Sequence, residues 1–106
     1  KPSTRQRFAA LSFNYTEPNI EMEIIIRETL VEESIAKQLV NIGNKIRNLK
    51  ELGLAETVST RLLIDAAKLI HSGLPKRLAI KVAIIEPLTD DLDVSEALTD
   101  LCNLMI

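Results

Sequence analysis

The stretch VSTRLLIDAAKLIHSGLP, residues 58–75, decides how the chain folds. It reads as one complete helix with both ends marked. Ser59 is a strong N-cap, Gly73 suits the left-handed residue that follows a helix, and Pro75 blocks continuation. Between these signals Leu62, Leu63, Ala66, Leu69 and Ile70 recur at helical spacing and form one apolar stripe. Arg61 does not fit this pattern. It sits in the first turn, where the macrodipole is positive and a cation is disfavoured by roughly 0.3–1 kcal/mol.

Working outward, the segment before it is also helical. Over residues 33–51, Ile35, Leu39, Ile42, Ile46 and Leu49 fall on one helical face, and Gly53 closes the segment. Lys37, Asn41, Asn44, Lys45, Arg47 and Lys50 take the other, solvated faces. Residues 18–29 carry Pro18 at a first helical position, with Glu17 and Glu21 near the start. The β-branched run Ile24-Ile25-Ile26 pulls against a helix, but Glu, Met and Arg surround it, and the balance predicts one. Downstream, residues 75–86 predict a helix with Leu78, Val82 and Ile85 inward and Pro87 beyond its end. Residues 94–105 predict another, opened by Asp93 and Glu96 at capping-box spacing, with Val94, Leu98, Leu101 and Met105 inward. FAALSFNY, residues 8–15, reads as a short strand followed by a turn. The expected fold is all-α, a small bundle of four to five helices preceded by one short strand.

Composition agrees. Hydrophobic residues make up 46% and aromatics 3%, which favours an aliphatic, helix-packed core. A net charge of −2 and a pI of about 5.4 argue against a nucleic-acid-coating domain. The single cysteine, Cys102, cannot form an internal disulfide, so a reducing, cytoplasmic setting is expected. No apolar run reaches the ~18 residues of a membrane span. The opening KPSTRQRF reads as the interior of a longer protein.

No catalytic constellation is present. Gly43, Gly53 and Gly73 lie on or just after predicted helices, and none belongs to a G-x-x-x-x-G-K-[ST] loop. The chain alone therefore cannot hold a nucleotide in the P-loop manner and is not expected to be catalytic by itself. His71 has no ligand partners at metal spacing, and Cys102 lies between Leu101 and Leu104 as a buried thiol would. Asp90, Asp91 and Asp93 lack the glycine and glutamate of a calcium loop and read as a solvated helix start; no metal site is expected. The basic groups Lys76, Arg77 and Lys81 read as solvated surface. Arg5, Arg7 and Arg61 remain. They are either ordinary surface arginines or phosphate ligands, since guanidinium forms bidentate bonds to phosphate and a helix N-terminus favours an anion.

The ordered set RQRFAALSFNYTEP (5–18), GNKIRNLKELGL (43–54), STRLLIDAAKLIHSGLP (59–75) and AIIEPLTDD (83–91) resembles the C-terminal part of the CbbQ/NirQ/NorQ group of AAA+ ATPases, in the MoxR branch. The resemblance covers nearly the whole chain. It implies that residues 1–17 end an ATPase core and that 18–106 form its helical lid. It implies that Arg61 is the second-sensor arginine that reaches the terminal phosphates of ATP. It also implies an arginine finger directed into the neighbouring subunit, with Arg7 the first match and Arg5 the alternative. ATP and Mg would serve the full-length protein, and none is expected bound to this stretch alone. The family further implies a hexamer, a partner with a von Willebrand factor A domain, and a target enzyme such as Rubisco or nitric oxide reductase, without nucleic acid or membrane insertion. One departure is Thr57-Val58-Ser59, where the wider family often has Gly-Ala-Ser before the sensor arginine. Two other readings stay open. The chain could be a free-standing helical interaction module with no nucleotide role, or it could bind duplex DNA through the helix pair that meets near Gly73.

Overall fold

The computed structural model describes residues 17–49 and 58–106, and among them every regular element is helical. The five helices are α1 (Pro18–Thr29), α2 (Glu33–Arg47), α3 (Thr60–His71), α4 (76–88) and α5 (Leu92–Met105). The predicted strand at residues 8–15 and the predicted core segment 1–17, apart from Glu17, lie outside the described residues.

α1 forms despite its isoleucine run because burial outweighs the small propensity cost of β-branching. Ile25 is completely buried at its centre. The helix ends where Leu30 turns left-handed at φ 64° and its N–H donates to the Ile26 carbonyl. The Thr29 hydroxyl donates to the Ile25 carbonyl at 2.7 Å and accepts from Val31 N–H, which fixes the reversal into α2.

α2 buries Ala36, Leu39, Val40, Ile42, Gly43 and Ile46, which adds a second row to the predicted stripe. It ends at Arg47, short of the predicted boundary. Its one glycine has a packing purpose: a Cβ on Gly43 would lie 3.2 Å from both δ-methyls of Leu63, so α2 and α3 approach closely there. α3 ends as its sequence predicts. Gly73 sits at φ 113°, its N–H donates to the Ile70 carbonyl, and Leu74 N–H donates to the Leu69 carbonyl, the paired bonds of a Schellman motif.

α4 differs from expectation in two ways. It runs through Pro87 to Leu88, and residues Lys81–Ile85 form a π-helical turn. Glu86 N–H reaches back five residues to the Lys81 carbonyl. The wide turn lies immediately ahead of Pro87, which has no N–H and whose ring crowds the carbonyl four residues earlier. The buried face also matches the predicted one only at Ile85. Ala79, Ile80, Ala83, Ile84, Ile85 and Leu88 are buried, whereas Leu78 and Val82 are 46% and 43% exposed. The segment is aliphatic on more than one face, so periodicity alone could not choose. The two alanines let the helix lie close to its neighbours. α5 is capped by Asp91, not by the predicted Asp93–Glu96 box: the Asp91 carboxylate accepts from Asp93 N–H at 2.8 Å and Val94 N–H at 3.2 Å. Leu98 and Cys102 face inward from it.

In the bundle α1 packs on α2 and α3, α3 packs on α4, and α5 closes the far side against α2 and α4. One continuous aliphatic core joins all five helices. The start of α3 is thereby held between α1 and α2, and Arg61 projects from it.

Candidate functional site

The first turn of α3 begins at Ser59, whose backbone is extended and whose hydroxyl accepts from Leu62 N–H at 3.4 Å. The remaining first-turn N–H groups have no intrahelical acceptor, as at any helix start. No acidic residue lies in this turn. Arg61 is exposed and takes part in no hydrogen bond or ion pair among the described residues, although Asp65 stands one turn further on. The sequence anomaly therefore survives folding: a guanidinium stands beside a positive helix end, and no carboxylate among the described residues is drawn to it. Such a group offers a fork of donors to a multi-oxygen anion.

Behind this surface lies a polar cluster that the sequence reading missed. Glu21 of α1 is completely buried and Arg47 of α2 nearly so, with a side chain 4% exposed. Their contact is bidentate. Arg47 Nη2 donates to Glu21 Oε2 at 2.7 Å and Nη1 to Oε1 at 3.0 Å. Nη1 also donates to Asn44 Oδ1 at 2.8 Å, and Nε donates to the buried Val58 carbonyl at 2.7 Å. The Thr60 hydroxyl donates to Glu21 Oε2 at 2.7 Å. Arg47 was expected on a solvated face; it is instead the centre of this cluster. The signal was present in outline. Glu21 lies on the stripe that continues through Ile25 and Thr29, and Arg47 lies four residues beyond buried Gly43. One charged residue on each of two buried stripes is the trace of a pair, but their spacing of 26 residues gives no local pattern to read.

The other candidates resolve simply. Arg5 and Arg7 lie outside the described residues, so the structure does not bring either together with Arg61. Cys102 is buried, and loss of solvation pushes its thiol from 9.0 up to about 11, which suits a packing residue. His71 is exposed in the last turn of α3. Asp91 is spent as a cap, and no group of three His, Cys, Asp or Glu among the described residues could hold a metal. Lys76 donates to Gln38 Oε1 at 3.0 Å and so ties α4 to α2, while Arg77 and Lys81 are exposed. Between α3 and α4 runs a groove of about 380 Å³ lined by Leu62, Leu69, Val82, Ala83 and Pro87, with Asp65 and Lys68 at its edge.

Comparison with known proteins gives a consistent set. The family described as CbbQ/NirQ/NorQ C-terminal matches residues 21–105. Protein NorQ of Paracoccus denitrificans is 48% identical over 101 residues, which are 95% of this chain and 37% of the relative. The denitrification regulatory protein NirQ of Pseudomonas aeruginosa is 45% identical over 106 residues, 100% of this chain and 41% of the relative. Protein CbbQ of Hydrogenophilus thermoluteolus is 46% identical over 98 residues, 92% of this chain and 37% of the relative. The chain thus spans 37–41% of the length of these curated relatives.

Proposed function

The chain belongs to the CbbQ/NirQ/NorQ C-terminal family, and on that premise we propose that it is the nucleotide-sensing lid of a MoxR-type AAA+ ATPase. The observation that carries the reading is Arg61, exposed and unpaired among the described residues in the first turn of α3. That residue fits the terminal phosphates of ATP, which it would meet with paired, charge-assisted bonds while the helix N-terminus adds its own dipole. ATP with Mg supplies the transferable phosphoryl group, and the charge that builds on its oxygens is what arginines stabilise. The residues that hold ATP and its metal would come from the remainder of a longer protein. Residues 1–17 would close that protein's core, with Arg7, or alternatively Arg5, as the finger reaching the adjoining subunit of a hexamer. The assembly would act in the cytoplasm, with a von Willebrand factor A-domain partner, to remodel or activate a target such as Rubisco or nitric oxide reductase.

The test is ATP hydrolysis by the full-length protein carrying Arg61→Ala. Turnover should fall tenfold or more, the scale of one lost charge-stabilising contact. Unchanged turnover would remove Arg61 from this role.

A second reading draws on the groove between α3 and α4. Its lining is mainly apolar, and the exposed side chain of Val82 forms part of it. As a pure interaction module the chain would bind a protein partner there, and Arg61→Ala would leave all its activities intact.

A further inference from the structure

We infer that Glu21, Arg47 and Thr60 form a clasp that fixes the direction in which Arg61 leaves α3, which makes them positioning residues for its phosphate contact. The inference rests on the reading of Arg61 given above.

A buried ion pair is a poor way to gain stability. Replacing one by well-packed apolar residues is often neutral or stabilising, because desolvation of both charges offsets their attraction. In some proteins such a pair serves to fix a geometry, and here the contacts converge on one place. Arg47 Nε holds the Val58 carbonyl and Glu21 Oε2 holds the Thr60 hydroxyl, both at 2.7 Å. These are the residues that lead into α3 immediately before Arg61. The alternative polar anchor is slight: the Ser59 cap is exposed, and its bond to Leu62 N–H is 3.4 Å long. A short, buried bond to a charged group outweighs a long, exposed one between neutral groups. Arg61 itself, an exposed side chain with four rotatable bonds, has no anchor of its own among the described residues. Its aim is therefore set by where its backbone is held. Glu21 comes from α1 and Arg47 from α2, so any shift of either helix relative to α3 is passed to the base of Arg61.

The test is a double-mutant cycle on ATP turnover by the full-length protein. Substituting Arg47 risks unfolding the bundle, so the variant is Thr60→Val, which removes one hydroxyl and keeps the shape. Thr60→Val should lower kcat/KM by about three- to tenfold, within the roughly hundredfold that an ångström of misplacement can cost. Thr60→Ser, which keeps the hydroxyl, should restore it. In an Arg61→Ala background Thr60→Val should have no further effect, because there is no longer a guanidinium to aim. A purely structural role predicts the same fractional loss in both backgrounds. Additive losses, or parental turnover in Thr60→Val alongside impaired Arg61→Ala, would overturn the clasp and leave the reading of Arg61 standing. Parental turnover in Arg61→Ala would overturn both.

Discussion

Replacing Arg47 with methionine should be among the most damaging single changes in the described residues. Methionine preserves the length and much of the volume of the arginine stem but none of its donors. Glu21, completely buried, would keep only the Thr60 hydroxyl among its described partners, and the buried Val58 carbonyl would lose its donor. Removing one member of a buried ion pair costs roughly 3–5 kcal/mol, because the other charge is left uncompensated. An orphaned buried carbonyl adds about 1–3 kcal/mol where water cannot reach it. A domain of this size has only ~5–15 kcal/mol in total. With a urea slope of about 1–3 kcal/mol per molar, the unfolding midpoint should fall by at least ~1.3 M. The assay is urea unfolding of the 106-residue chain followed by far-ultraviolet circular dichroism. The double variant Glu21→Leu with Arg47→Met removes both charges. It should be at least about 1 kcal/mol more stable than Arg47→Met alone, since apolar replacement of a whole pair is tolerated far better than half of one. An Arg47→Met variant within about 1 kcal/mol of the parent would refute the reasoning, as would a double variant no more stable than the single.

Two further perturbations probe the core. Gly43→Val should destabilise by about 1–3 kcal/mol, because its side chain meets the δ-methyls of completely buried Leu63 at a position where a single Cβ already stands 3.2 Å away; denaturant unfolding measures it. Cys102, with its thiol raised from 9.0 to about 11 by burial, should react with iodoacetamide at pH 8 about a hundredfold more slowly than an exposed cysteine, from its thiolate fraction alone. The same shift makes stability depend on pH in the alkaline range. The folded value lies above the unfolded one, so this contribution is fully present below pH 9.0 and is lost as pH rises through about 11. Cys102→Ser should flatten that alkaline loss, which thermal melts at pH 8 and 10.5 would reveal.

What could be read from the sequence follows from what is local. α1 and α3 lie where capping chemistry and helical spacing put them, because Pro18, Ser59 and Gly73 act within a turn of their own positions. Arg61 could be singled out for the same reason: a cation in a first turn is a local contradiction. α4 was harder, since Leu78, Ala79, Ile80, Val82, Ala83, Ile84 and Ile85 offer several apolar stripes and a π turn shifts their phase. Its buried face is set by which residues fit against α3, a non-local fact. The cap of α5 is ambiguous in the sequence because three aspartates compete within four positions, and only the extended backbone at Asp91 selects one. The Glu21–Arg47 cluster was out of reach for a related reason. Arg47 looked like any helix-surface cation, and its partners come from α1 and from the lead-in to α3, brought together only by folding.

The most direct measurement is a structure of the full-length assembly with a slowly hydrolysed ATP analogue bound. The Arg61 guanidinium nitrogens should lie within about 2.7–3.2 Å of terminal phosphate oxygens, with the Glu21–Arg47–Thr60 contacts intact behind them. Arg61 directed into solvent while the analogue occupies its site, with no phosphate contact, would contradict this.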